Sequence, residues 1–167
     1  MGLVGTVGRG KLAGALGTLA MDAVLYWRYR RDGGSDSVRN WEFATNVKDW
    51  STASAPAQFG RKVASSVVHK ELPPESAAPL TNVVHWSTGM AWGAAYALLS
   101  GSRGRSHVLA PGLLFGIAVW ATSYVVLPLA KVYKPIWEYD GDVLWKDLSA
   151  HLTYGVTTAA VFRTLTR

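Results

Sequence analysis

Residues 108–130 read VLAPGLLFGIAVWATSYVVLPLA and contain no Asp, Glu, Lys or Arg. The hydrocarbon core of a bilayer is about 30 Å thick, and a helix needs roughly 20 predominantly apolar residues to cross it. This stretch meets that requirement, and it lacks the polar stripe that a helix on the surface of a water-soluble bundle carries. It therefore predicts a membrane-spanning helix and guides the interpretation of the other segments.

Charged residues are also sparse in three other segments, although each of them contains polar or ionisable side chains. Together with the first segment they predict an all-α integral membrane protein, a four-helix transmembrane bundle that forms a single domain of 167 residues. The alternative is a water-soluble helical protein that buries two apolar helices. The predicted spans are residues 11–29, 79–100, 108–130 and 144–163.

The overall composition agrees with a folded membrane protein. Charged residues make up 17% of the chain, against roughly a quarter in a typical soluble protein. The chain has 8 Trp, 7 Tyr and 4 Phe, which excludes an intrinsically disordered chain. It has no cysteine, which excludes a disulfide scaffold and any cysteine-ligated metal.

Small residues recur at four-residue spacing in the apolar segments. In lipid such residues let helix backbones approach closely, and packing then drives helix association. In a water-soluble helix, glycine is destabilising by up to about 1 kcal/mol relative to alanine. The spacing predicts helix–helix contacts at Gly10 and Gly14, Gly89 and Gly93, Gly112 and Gly116, and Gly155 and Ala159.

The net charge of +6 is distributed unevenly. With four spans, both termini and the loop at 101–107 share one side, which carries basic residues and no acid. Arg28, Arg30 and Arg31 favour the opposite orientation. The positive-inside rule places both termini in the cytoplasm of a bacterial cell with the chain in the inner membrane. The excess charge then serves topology and contact with anionic lipid headgroups, and no motif of a nucleic-acid-binding fold is present.

The first long loop contains an amphipathic pattern at 54–72. Phe59, Val63 and Val67 recur every four residues, with basic and polar side chains between them. Such a helix lies on a bilayer surface or on a partner subunit, together with Trp41 and Trp50 from the preceding Trp-rich stretch. The equally weighted alternative is a loop helix that packs on its own protein.

The second and fourth predicted spans repeat the pattern His-x-x-x-Gly, at His85 and Gly89 and again at His151 and Gly155. The first and third spans align more loosely through Gly17 and Gly116. This pattern suggests two helical hairpins related by duplication.

The repeat also predicts a layer of polar side chains near one end of the bundle. Ionisable residues within a bilayer are costly and usually face the bundle interior. Three interpretations remain open: interhelical hydrogen bonding that sets helix register, proton handling, or ligation of a metal or haem by His85 and His151. The layer comprises Asp22, Asn82, His85, Asp147, His151 and Tyr154.

Several of these residues form short patterns that follow the amphipathic stretch at 56–72. They are Asn82-x-x-His85-Trp86, Gly89-x-x-x-Gly93-x-x-Tyr96 and His151-x-x-Tyr154-Gly155. In these features the chain resembles the YagU-like proteins, a bacterial inner-membrane family of unknown biochemical function. The resemblance implies a multi-pass protein with a loose link to acid tolerance, and it supplies no catalytic residues. The Trp-rich insertion at 32–50 departs from the family pattern.

The first functional hypothesis is a non-enzymatic accessory or scaffold subunit of a larger membrane complex, because the chain is small, carries close-packing glycines and shows no catalytic constellation. The alternative is a proton-linked transport or acid-response protein that uses His85, His151 and Asp22. We expect no cofactor, no bound metal and no catalytic residue. The expected partners are anionic lipids and other membrane-protein subunits.

Overall fold

The computed structural model of the protein describes residues 2–100 and 107–167. All regular structure in these two ranges is helical, which confirms the predicted all-α class. Short 3-10 turns at Pro74–Ser76 and Ile136–Glu138 precede the second and fourth long helices. The helices are α1 (Leu3–Arg31), α2 (Val38–Glu42), α3 (Ala55–Val68), α4 (Ala77–Ser100), α5 (Leu109–Leu129) and α6 (Gly141–Leu165).

The four long helices form an antiparallel bundle. α1 packs closely against both α4 and α6, and α6 packs against α5. α4 and α5 instead meet through large side chains, with the rings of Tyr96 and Phe115 4.9 Å apart. Residues 32–76 and 130–140 lie at one end of the bundle, which we call the loop end. The terminal end is the opposite one, where α1 begins and α6 finishes.

All four long helices are long enough to cross a bilayer, since the shortest has 21 residues and a helix rises 1.5 Å per residue. By both length and apolar composition, Leu109–Leu129 is the one helix in the described ranges that qualifies as a membrane span. It matches the predicted span 108–130. The four-span bundle stays a prediction, and the basic residues Arg103 and Arg105 used to orient it lie outside the described residues.

The glycines of the four-residue pattern lie where helix backbones touch. A Cβ atom added at Gly14 would meet the Gly89 carbonyl oxygen and the Gly93 backbone at less than 3.0 Å. In the second helical hairpin, which α5 and α6 form, a Cβ at Gly112 would meet the Gly155 carbonyl oxygen in the same way, at 2.9 Å. Gly89 and Gly155 occupy the same place in the repeat, so Gly14 and Gly112 are the equivalent positions.

The looser alignment of the first and third spans is wrong in detail. The atoms nearest to a Cβ added at Gly17 belong to Thr158 and Tyr154 of α6, whereas those nearest to a Cβ at Gly116 belong to His151 and Leu152 of its hairpin partner. Gly17 therefore lies at a contact between the hairpins and Gly116 at a contact within one, because α1 packs against two neighbouring helices and α5 packs closely against one.

Many of the side chains on the outside of the long helices are large and apolar. The side chains in the tightly packed interfaces are mostly small, such as Ala13, Ala97 and Thr158. Many leucines, isoleucines and valines of the long helices are exposed. This arrangement is the reverse of a water-soluble bundle, which buries such residues. The exposed set includes Leu12, Leu16, Leu19, Leu98, Leu99, Leu114, Ile117 and Val125.

The loop preceding α4 has a small core of its own. Trp50 is only 9% exposed and packs with Ala53, Ala57 and Ala77. Its indole N–H donates to the Leu72 carbonyl oxygen at 3.1 Å. Trp50 therefore differs from the expected lipid- or partner-facing residue, because its ring and its N–H both find partners within the loop.

Candidate functional site

Asp22 of α1 and His85 of α4 form a pair at the loop end of the bundle. The His85 Nε2 atom lies 2.9 Å from one carboxylate oxygen of Asp22 and 3.0 Å from the other. Asp22 is 4% exposed. The close approach of α1 and α4 at Gly14 and Gly89 brings the two side chains together, one turn or two beyond the glycine contact.

A second histidine–carboxylate pair lies within α6. The Nδ1 atom of His151 lies 3.0 Å from the Asp147 carbonyl oxygen and 3.3 Å from a carboxylate oxygen of the same residue. The four-residue spacing places both side chains on one helix face. This contact leaves the His151 Nε2 atom for other partners.

Tyr154 lies one turn from His151 and connects α6 to α4. Its hydroxyl donates to the carbonyl oxygen of Gly89 at 2.7 Å. The side chain is almost fully buried. A Cβ atom added at Gly89 would instead collide with the Thr18 hydroxyl of α1, so the glycine makes room for that side chain.

A cavity of about 240 Å³ separates these groups, and we call it the inner cavity. His85, Asp147, His151 and Tyr154 all line it, so the structure brings together four of the six predicted polar residues. Other lining residues come from α1, α4, α5 and the loops, among them Thr18, Trp92, Ser123 and Tyr133.

Tyr133 was not predicted as part of the layer. It follows α5 directly and lies near the negative charge of Asp147. Burial, together with that charge, raises the pKa of the Tyr133 hydroxyl to about 12. The sequence signal for it was its position among the aromatic residues that follow the third predicted span.

Asn82 lies away from the inner cavity. Its side-chain amide donates to the Phe43 carbonyl oxygen at 2.8 Å and to the Ala78 carbonyl oxygen at 2.9 Å. It lines a second cavity of about 210 Å³, the outer cavity, with Asp22, His85 and Glu42. Asn82 therefore joins the polar layer on its outer side and anchors α2 to α4.

Trp41 holds the other side of α2. Its ring lies 5.4 Å from the ring of Tyr26 and 6.2 Å from that of Tyr29. Trp41 thus packs on α1, and it differs from the lipid- or partner-facing residue that the sequence suggested. Of the predicted surface residues, Phe59 is half-buried, while Val63 and Val67 are exposed.

Glu42 is the main residue of the site that sequence reasoning missed. One of its carboxylate oxygens, Oε1, is buried and has no hydrogen-bond partner among the described residues. Burial raises the pKa of the Glu42 carboxyl; the negative charge of Asp22 raises it further, and His85 acts in the opposite direction. In the sequence, Glu42 lies in a polar, non-periodic stretch, where no pattern distinguishes it from the exposed acids around it.

The metal-site hypothesis gains no support from the geometry. Within residues 2–100 and 107–167, no three His, Asp or Glu side chains are grouped so as to hold a metal ion. The cavity groups instead form two hydrogen-bonded pairs, in which each histidine has its own carboxylate partner.

No family model matches the chain, and neither a curated protein nor a solved structure matches it. The resemblance to YagU-like proteins stays a prediction.

Proposed function

We propose that the protein is a four-span membrane protein of the bacterial inner membrane that responds to acid through a histidine–carboxylate site at its loop end. One observation carries the proposal: two histidines, each paired with a carboxylate, line the same cavity. Histidine is the side chain whose charge ordinarily changes between pH 5 and pH 8. Ionisable groups in membrane helices mark functional sites more often than structural ones.

The membrane assignment is supported by where the large apolar side chains lie. Close-packed glycines and alanines inside with leucines outside suit a bundle surrounded by lipid, where apolar surface carries no cost. In water the same belt would be an extensive exposed apolar patch of the kind that drives association.

The shape of the interior favours acid response over transport through the bundle. The terminal half of the core is filled by Tyr96, Phe115 and Phe162. The rings of Tyr96 and Phe162 are 5.9 Å apart, in an edge-to-face arrangement. A proton that enters at the loop end therefore meets a packed aromatic layer below the cavity, and its charge acts on the loop-end structure.

Each histidine has the chemistry needed to register a proton. When neutral, the His85 ring donates its Nε2–H to Asp22, and its Nδ1 atom can accept a proton. When His151 donates its Nδ1–H to Asp147, the Nε2 atom can accept a proton in the same way. Protonation turns each hydrogen-bonded pair into an ion pair and cancels the negative charge of its carboxylate, so the charge around the cavity changes with pH.

A histidine double variant tests the acid response. We expect H85Q/H151Q in lipid vesicles to lose the change in loop-end hydrogen exchange that occurs in the wild type between about pH 7 and pH 5. The matched control is H69Q/H107Q, which removes the two exposed histidines of the chain. A response that survives H85Q/H151Q unchanged would overturn the proposal.

Cysteine labelling tests the four spans separately. The natural chain contains no cysteine, so single variants have no labelling background. We expect S51C at the loop end to react with an impermeant reagent from outside the cell, and R167C to react only after permeabilisation. Equal labelling of both positions from the same side would exclude the three spans predicted between them, and with them the four-span bundle.

A second candidate function, an accessory or scaffold subunit, is favoured by α3. Val67 is 73% exposed and lies next to Val63 and Val68, which are also exposed, on a helix at the loop end. Purification in mild detergent should then yield stoichiometric companion subunits that V63S/V67S no longer retains. Isolation of the wild type as a lone monomer or homo-oligomer would count against this candidate.

A further inference from the structure

Glu42 is held in place by the residues on either side of it. The Trp41 ring packs against the rings of Tyr26 and Tyr29 of α1. The Phe43 carbonyl oxygen accepts the bond from Asn82 of α4. Because both neighbours are fixed to different spans, the Glu42 side chain is confined at the top of the α1–α4 interface.

The outer cavity gives Glu42 access to the Asp22–His85 pair. Asp22, Glu42 and His85 line it together, and no Lys or Arg is among its lining residues. The charged groups that face Glu42 are therefore Asp22 from α1 and His85 from α4. The Oε1 atom of Glu42 is buried and has no hydrogen-bond partner among the described residues.

His85 belongs to both cavities. It lines the outer cavity with Glu42 and the inner cavity with Asp147 and His151. The imidazole thus stands in the wall between them, with Asp22 holding its Nε2 atom. On the inner side it faces His151 and Asp147 of α6.

We propose that Glu42 is the outer proton-binding group of this site and that it exchanges its proton with the Asp22–His85 pair across the outer cavity. This inference rests on the proposed acid response and names the residue through which the proton enters. In the transfer, the O–H bond of the Glu42 carboxyl breaks, water carries the proton, and an N–H bond forms at His85 Nδ1. Glu42 is left as a carboxylate, and the imidazolium is balanced by Asp22.

The raised pKa of Glu42 is consistent with this role, because a carboxyl that keeps its proton closer to neutral pH can exchange it with a histidine. The three groups then titrate as one coupled system in which the charge of each depends on the other two. A substitution that removes the Glu42 carboxyl should therefore shift the titration midpoint of His85.

The test uses E42Q, E42D and the control E75Q, which alters an exposed loop acid, all in lipid vesicles. Infrared spectra should contain a protonated-carboxyl band that E42Q removes and E75Q retains. The nitrogen NMR titration midpoint of His85 should move by on the order of one pH unit in E42Q and stay in place in E75Q. E42D, which restores a carboxyl, should restore the band.

The outcomes separate this inference from the proposed function. An unchanged His85 midpoint in E42Q, or a band that E42Q retains, overturns the role of Glu42. If both change while the pH-dependent hydrogen exchange is unaffected by H85Q/H151Q, the coupling stands and the acid response falls. If E42Q fails to fold, E42D decides: its protonated-carboxyl band should shift in frequency from that of the wild type, and a band left at the wild-type frequency overturns the role of Glu42.

Discussion

The hydroxyl of Tyr154 donates to the main-chain carbonyl oxygen of Gly89 at 2.7 Å, which ties α6 to α4 across the bundle. These two helices otherwise make few contacts, since α1 lies between them for most of their length. The bond therefore joins the two hairpins directly, at the level of the inner cavity.

We expect Y154F to lower the free energy of unfolding in detergent by about 1 kcal/mol, because interhelical hydrogen bonds in membrane proteins contribute of that order. The measurement is unfolding by SDS followed by circular dichroism. Y96F is the matched control, since the Tyr96 ring packs in the same core but its hydroxyl makes no hydrogen bond to the described residues. Equal losses in Y154F and Y96F would contradict the role of the bond.

The glycine contacts make a contrast within a single helix. We expect G14A to destabilise the protein by more than 1 kcal/mol, because its methyl group would strike the α4 backbone. G8A should be neutral or stabilising by up to about 1 kcal/mol, since a Cβ there has no atom within 4 Å. The same unfolding assay measures both. A G14A protein as stable as G8A would show that α1 and α4 do not touch there.

The Asp22–His85 pair should show measurable energetic coupling. A double-mutant cycle of D22N and H85Q is expected to give a coupling energy of about 1 kcal/mol or more at neutral pH. The matched cycle is D32N with K146Q, a half-exposed pair whose Nζ–carboxylate distance is 3.4 Å and whose coupling should be a few tenths of a kcal/mol. Comparable values for the two cycles would mean that burial does not strengthen the Asp22 contact.

Asp36 should make the docking of α2 sensitive to strong acid. Hydrogen bonds from the Tyr29 hydroxyl and the Asn46 amide lower the pKa of the Asp36 carboxyl below its ordinary 3.8. A folded-state pKa below the unfolded value means that the contribution to stability is present above pH 3.8 and is lost as the pH falls through the lowered value. Thermal unfolding of the wild type should therefore show an extra loss of stability in this range that D36N lacks. D32N, which makes neither bond, should keep the loss.

The sequence predicted three of the four long helices to within about three residues, whereas α1 begins at Leu3, ahead of the predicted span 11–29. The apolar stretch 108–130 became Leu109–Leu129, and the amphipathic stretch 54–72 became Ala55–Val68. These elements are predictable because hydropathy and four-residue periodicity are local properties of the chain. The glycine contacts followed from the same kind of local spacing.

The candidate site was only partly predictable. The repeat placed His85 and His151 at matching depth, and both line the inner cavity. It could not show that Asp22 would pair with His85 or that Glu42 would be buried, because both depend on which helices become neighbours. Trp50 was misplaced for a related reason: the hydropathy of a tryptophan does not show whether its indole N–H will find a carbonyl inside its own loop.

The contrast between the tight and the loose helix contacts has a mechanical consequence. Backbones that touch at glycines cannot slide past each other without collision, and such contacts join α1 to α4, α1 to α6 and α5 to α6. On the far side, Lys62 of α3 donates to the Ala130 carbonyl oxygen at 2.6 Å and acts as a clasp over the gap between α4 and α5. Separation of α4 from α5, after the Lys62 hydrogen bond breaks, is therefore the opening motion that we expect to require the least repacking.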